Sequence, residues 1–245
     1  EVNMLTRWQS IEYITAQNFD RRAFDLLNCI TVVPGAIGAF RKEAVVDAGM
    51  FTSDTLAEDC DLTIRLLRSG YAVRNCTEAI SYTEAPETLR GFLKQRFRWS
   101  FGVMQAFWKH RDACFNTGYK TLGTVALPNI LIYQIVLPFL APLADLVLIV
   151  SLIAAGMHIL PADIGSILLY YGIFMLVDIA GAAIAFLFEK ESYGKLAWMI
   201  PQRLVYRQLM YYILLRSFVK AIKGELQGWG KLKRTGNVGK AVSTA

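Results

Sequence analysis

Residues 121–188 read TLGTVALPNILIYQIVLPFLAPLADLVLIVSLIAAGMHILPADIGSILLYYGIFMLVDIAGAAIAFLF. This run has no Lys and no Arg, and its only acids are Asp145, Asp163 and Asp178. A stretch that long without a basic residue is what lipid selects for. About 20 apolar residues suffice to cross a bilayer. Two spans are therefore expected, at 123–156 and 164–188. Pro128, Pro138 and Pro142 predict kinks or a broken helix in the first. The link Gly156–Asp163 has no basic residue and suits the outer side, so Glu189–Lys195 returns to the cytoplasm. Residues 196–219 are apolar but hold Pro201, Arg203, Arg207 and Arg216. Arginine at mid-membrane depth costs about 2.5–3.5 kcal/mol on insertion scales. That favours a re-entrant or interfacial segment; the other reading is a third span whose arginines face protein or a polar pore.

The composition of the whole chain agrees with a membrane class. Its 245 residues are 54% hydrophobic and 19% charged, with a mean hydropathy of +0.35. Globular chains run at roughly 45–50% apolar and about 25% charged. Disorder, which needs few apolar residues and high charge, is excluded. Cys29, Cys60, Cys76 and Cys114 are scattered without a C-x-x-C pair, which argues against a disulfide framework or zinc site. His110 and His158 are the only histidines, so acid–base chemistry falls to carboxylates. The net charge of +6 clusters at Lys94–Arg111 and Arg216–Lys240, flanking the apolar part. Anchoring to an anionic lipid surface is the expected use of those bases, in preference to nucleic acid.

The first half alternates short helices and short extended pieces. Met4, Leu5, Trp8, Ile11 and Thr15 fall at helical spacing, so 3–28 reads as mostly helix. Residues 31–33 and 36–40 read as strands about the Pro34-Gly35 break. A short helix over 41–48 ends at Gly49, and a loop covers 50–57. Glu58–Arg68 reads as a helix with acids first and bases last, matching its macrodipole. Residues 71–74 and 79–82 read as further strands. The alternation predicts an α/β layer. Pro86 and Glu87 then open a helix whose apolar stripe runs through Leu89, Phe92, Leu93, Phe97, Phe101, Met104 and Trp108. That helix is expected to lie in the membrane interface or to face a soluble core.

Two sets of residues could carry chemistry. Gln95, Arg98 and Trp99 stand at i, i+3 and i+4 and share one helix face. They offer an amide, a guanidinium that grips phosphate oxygens in pairs, and an indole plate for a sugar ring. The plain alternative for Trp99 is packing. Glu58-Asp59 opens a helix, where the partially positive helix start keeps a carboxylate ionised. Such a group can take a proton from a hydroxyl, or can simply offset the dipole.

Together, Ala57-Glu58-Asp59 and Gln95-x-x-Arg98-Trp99, followed by apolar helices, resemble the family 2 glycosyltransferases that make polysaccharides at membranes. Their signature is Thr-Glu-Asp, then Gln-x-x-Arg-Trp, then membrane helices. Pro86-Glu87-Thr88-Leu89-Arg90-Gly91 looks like the bacterial poly-N-acetylglucosamine synthases within that family. Cellulose, chitin and hyaluronan synthases share the wider pattern. The resemblance covers most of the chain and is strongest from about Thr31 to Trp108. One departure is Ala57 where Thr is usual.

The resemblance implies an α/β fold. Residues 1–84 would be the C-terminal part of a GT-A catalytic domain, and 85–120 amphipathic interface helices. Residues 121–222 would be the membrane region and 223–245 a basic cytoplasmic tail. It implies that Asp59 is the general base for the acceptor hydroxyl, with Glu58 in support. Gln95 and Arg98 would lie near the nucleotide diphosphate, Trp99 under the acceptor sugar, and Gly35 where backbone approaches the sugar. It implies an inverting transfer from a UDP-sugar, N-acetylglucosamine, to a growing β-linked polymer exported through the helices. Accessory export proteins and a bacterial inner membrane, with the catalytic part cytoplasmic, belong to the same expectation. The family's Mg²⁺ or Mn²⁺ would be held by aspartates expected upstream of Glu1. Asp59-Cys60-Asp61 is the Asp-x-Asp of this sequence, and it belongs to the base motif rather than to a metal site. The 245-residue chain alone is accordingly expected to be inactive. Two other readings remain open at this point: a transferase adding one sugar to a lipid, and a non-catalytic channel or scaffold module.

Overall fold

The computed structural model describes residues 2–157 and 164–223. The link at 158–163 and the basic tail from 224 onward, both assigned roles above, lie outside the described residues. The chain opens with α1 (Met4–Glu12), a π-helical stretch (Tyr13–Phe19) and α2 (Asp20–Leu26), which run on as one rod. Asn3 caps it, its Oδ1 accepting the Thr6 N–H at 3.0 Å. After an extended segment come α3 (Lys42–Asp47) and α4 (Glu58–Arg68). A second extended segment leads to α5 (Leu89–Lys109). Thr88, not Pro86, starts that helix, its hydroxyl accepting the Gly91 N–H at 3.2 Å.

The expected α/β class, as the C-terminal half of a GT-A domain, is overturned: no strand or sheet forms among the described residues. The pieces at 31–33, 36–40, 71–74 and 79–82 have no partner strand beside them, and a strand's backbone groups must be paired. Side chains satisfy several of them instead. Thr63 Oγ1 accepts the Val33 N–H at 3.1 Å, Asn28 Oδ1 the Val73 N–H at 2.8 Å, and Asp25 Oδ1 the Asn75 N–H at 3.1 Å. The segments around Val33, Val73 and Asn75 are thus tied to α4, to α2 and to the turn after α2.

Helix α5 lies at the centre. One end packs on α4, where Cys60, Ile64 and Leu67 meet Ala106 and Phe107. Asp61, fully buried on α4, fastens that contact. It accepts from Arg65 Nε, Lys109 Nζ and His110 Nε2, each at 2.9 Å, and from Thr52 Oγ1 at 3.1 Å. Arg65 continues the link by donating to the Met50 carbonyl at 2.6 Å. The first turn of α5 packs instead on α1 and α9 (Met199–Ile222) through Trp8, Phe92, Tyr206 and Ile213.

Two helical segments, Leu122–Gly156 and Ile164–Glu189, are long and apolar enough to cross a membrane. In the first, π-helical turns at Leu122–Ala126 and Ile130–Val136 surround α6 (Leu127–Asn129) and precede α7 (Leu137–Gly156). Proline removes a backbone donor and its ring clashes one turn back, and a widened turn relieves both. Pro128 and Pro138 therefore loosen the helix without breaking it. The second segment is α8 (Ile164–Glu189). Helix α9 is continuous; Arg203 and Arg207 face the other two helices, while Arg216 lies over the Phe97 ring of α5. Arg203 pairs with Asp178 of α8, and Arg207 Nε stands 3.9 Å from Asp145 of α7.

Burial alone would raise the Asp61 carboxyl, but hydrogen bonds from His110, Lys109 and Arg65 hold it well below the carboxylate range. A carboxyl depressed in the fold adds stability above its unfolded value of about 4, and that stability is lost as pH falls toward the folded value. Unfolding of detergent-solubilised protein should therefore shift to lower temperature below about pH 4. Asp61→Asn should remove about 1.5–3 kcal/mol at neutral pH by weakening the charge-assisted hydrogen bonds from Arg65 and Lys109, and should flatten the acid dependence. A wild-type melting curve for that variant would contradict the role given to Asp61.

Candidate active site

The start of α4 and one face of α5 open onto a single cleft of about 2680 Å³. Its walls include all six residues singled out by sequence: Gly35, Glu58, Asp59, Gln95, Arg98 and Trp99. The cleft continues past Tyr133, Gln134 and Pro138 to Tyr211 of α9. It is several times the 300–1,000 Å³ of an ordinary small-ligand pocket.

Two contacts set the register between the helices. A Cβ on Gly102 would stand 2.7 Å from both the Cβ and the backbone N of Ala57, so only glycine lets α5 come this close. One turn on, Gln105 Oε1 accepts the Leu56 N–H at 2.9 Å. Together they pin the loop before α4 to the middle of α5. The result is that Glu58-Asp59 and Arg98-Trp99, far apart in sequence, face the same space. Gly35 is exposed on another wall, and a Cβ there would meet nothing within 4 Å. Packing does not require glycine at that position.

The charges in the cleft act on one another. Burial raises the Glu58 carboxyl, the neighbouring Asp59 raises it further, and Arg98 opposes both. Asp59 Oδ1 accepts the N–H of Cys60 at 2.8 Å, which anchors the carboxylate at the helix start. Arg21 of α2 also lines the cleft; burial lowers its affinity for a proton, and the Asp59 charge counters that. Gln95 is about nine-tenths buried, and its Oε1 has no hydrogen-bond partner. A buried amide oxygen in that state is suited to a ligand donor.

Trp99 is half-buried. Tyr13, in the π-helical turn, packs near it with ring centroids 6.4 Å apart. The Arg96 guanidinium lies 4.3 Å from the Trp99 ring centre. Arg96 itself is 1% exposed and pairs with Glu12 of α1 at 2.6 Å.

The residues described here do not make a metal site. No group of three or more His, Cys, Asp or Glu side chains converges among them. Asp59 and Asp61 point apart, the first into the cleft and the second into its cluster of Arg65, Lys109 and His110.

Comparison with known proteins decides the family. Residues 1–215 match the family described as Glycosyl transferase family group 2. The chain belongs to that family. It is similar to the poly-beta-1,6-N-acetyl-D-glucosamine synthase of Staphylococcus aureus strain COL, with 33% identity over 100 residues, 41% of this chain and 24% of the relative. The Staphylococcus epidermidis protein of that name is 29% identical over 110 residues, 43% of this chain and 27% of the relative. The chain thus spans about a quarter of the length of the curated relatives it matches. No solved structure matches.

Beyond the family signature, sequence reading missed Arg21, Gly102, Gln105 and the buried pair Glu12–Arg96. The pair left a trace. Arg96 stands four residues after Phe92 on the apolar stripe, and Glu12 four after Trp8, so each helix carries one charge, of opposite sign, on a face meant to be buried. Gly102 left none, because close approach of two helices depends on the partner. Gly102→Ala should lower stability by about 1–3 kcal/mol through overpacking against the backbone of residues 56–57. Thermal unfolding checks this, and an unchanged midpoint would mean that the helices do not approach so closely.

Proposed function

We propose that this chain supplies the acceptor side of a membrane glycosyltransferase. It moves N-acetylglucosamine from a UDP-sugar onto a growing β-linked polysaccharide with inversion at the anomeric carbon. The observation that carries the reading is the shared cleft, whose walls include a carboxylate at a helix start, an amide, a guanidinium and an indole. The printed name of the staphylococcal relatives supports the choice of sugar and of a polymeric acceptor.

In this reading Asp59 takes the proton from the acceptor hydroxyl as that oxygen attacks the anomeric carbon. The new glycosidic C–O bond forms while the bond from that carbon to the diphosphate oxygen breaks, and UDP leaves with the electron pair. One carboxylate base is enough, and no covalent glycosyl-enzyme forms. Arg98 meets the diphosphate with paired N–H donors, and Gln95 adds a polar contact beside it. Trp99 stacks against the acceptor sugar. Glu58 stands beside the base, partly relieved of its own charge by burial.

The length and apolarity of the two segments Leu122–Gly156 and Ile164–Glu189 support a bilayer setting, and in this reading the cleft faces the cytoplasmic side of a bacterial plasma membrane. The extension of the cleft toward Tyr133 and Tyr211 gives the polymer a way into the helices, and accessory proteins could receive it beyond them.

Product analysis tests this reading. Membranes carrying the full-length protein would receive UDP-N-acetylglucosamine, UDP-glucose or UDP-glucuronate separately. The expected product is a β-linked polymer from UDP-N-acetylglucosamine alone. Trp99→Ala should shorten or abolish it. A single glycolipid band would overturn the polymer, and product from another donor would overturn the sugar.

A further inference from the structure

Trp99 can hold a sugar only if its own plane is held, and the guanidinium that lies against it stands behind the cleft wall, which includes Glu12 and Tyr13. Arg96 precedes Trp99 by three residues, one helical turn, and stays out of the cleft wall that Trp99 helps to form. Its guanidinium lies among three rings, 4.3 Å from the centre of Trp99, 5.3 Å from Phe92 and 5.5 Å from Tyr13. Its Nη2 donates to Glu12 Oε2 at 2.6 Å and to the Tyr206 hydroxyl at 3.3 Å. Tyr206 in turn donates to the same Glu12 oxygen. Three helices, α1, α5 and α9, thus meet at one guanidinium.

Stability alone does not account for this arrangement. A buried ion pair gives back most of its attraction in lost hydration, and well-packed apolar residues in its place are often as good or better. Here two of the guanidinium nitrogens, Nε and Nη1, have no hydrogen-bond partner, which makes the pair poorer still as a source of stability. What a guanidinium does offer is a rigid plane that can lie against an aromatic ring while its edge is gripped from the side. A lysine ammonium is a point charge and cannot do both.

We propose that Arg96, clamped by Glu12 and Tyr206, is a positioning residue that fixes the plane of Trp99 for the acceptor sugar. Arg96 touches no substrate and acts through Trp99. Because Glu12 and Tyr206 come from α1 and α9, the tilt of those helices is transmitted to the acceptor site. The proposal rests on the reading of Trp99 as the acceptor platform.

The test separates donor from acceptor. Intact full-length protein in membranes would be assayed with UDP-N-acetylglucosamine as donor and a short β-1,6-linked N-acetylglucosamine oligomer as acceptor probe. Arg96→Lys should raise the acceptor KM by about tenfold and leave the donor KM within about twofold, since only the acceptor surface is disturbed. Tyr206→Phe removes one hydroxyl from the clamp and should move the same constant in the same direction. It keeps the proposal open to refutation if Arg96→Lys does not fold. Equal changes in both KM values, or no change in either, would overturn the positioning role. Trp99→Phe distinguishes the two levels of failure. If it leaves the acceptor KM unchanged, the platform reading fails and the proposal with it. If it raises the acceptor KM while Arg96→Lys and Tyr206→Phe do not, the platform stands and Arg96 has no part in it.

Discussion

The buried carboxylate of Asp61 is the constraint on which the site depends. It draws Arg65, Lys109 and His110 to one point, and with them the loop before α4 and the far end of α5. A fully buried charge is tolerated only when its partners are complete, so the helices have little freedom to slide. Gly102 and Gln105 then convert that fixed contact into a register. Two residues before Asp61, Asp59 points the other way and into the cleft. One turn of helix thus serves two purposes, with its inward acid holding the scaffold and its outward acid facing the site.

A second anchoring point lies at the other end of α5. Phe92, Trp8 and Tyr206 bring α1 and α9 together, and the Glu12–Arg96 pair sits within that packing. The π-helical turn at Tyr13–Phe19 follows Glu12 directly, and the ring of its first residue, Tyr13, stands 6.4 Å from that of Trp99. Widened turns of this kind are frequent at functional sites. They recur around Pro128, where they let an apolar helix accept a proline, so one backbone device answers two different demands in this chain.

Much of the site was legible in the sequence because its residues are local. Gln95, Arg98 and Trp99 share a face by helical spacing alone, and Glu58-Asp59 reads as a helix start from its acids. The apolar run from 121 to 188 announced its two long helices by length and by the absence of bases. The sheet was misread for a physical reason. Short β-prone runs such as Thr31-Val32-Val33 report that a segment is extended, not that a partner strand lies beside it, and here Thr63, Asn28 and Asp25 take up backbone donors that a ladder would have used. The basic cluster at Lys94–Arg111 was also only partly understood. Lys109 and Arg96 turn inward, to Asp61 and Glu12, and sequence alone cannot distinguish an inward base from a lipid-facing one when both lie on an amphipathic helix.

Asp59, proposed as the base that faces the sugar, is the residue on which the catalysis depends. The direct measurement is UDP release from UDP-N-acetylglucosamine by membranes containing the full-length protein, compared with the Asp59→Asn variant at equal protein level. Removal of a general base should reduce the rate at least ~10²-fold while leaving the fold intact. A variant that releases UDP at the wild-type rate would contradict the assignment and, with it, the catalytic reading of the cleft.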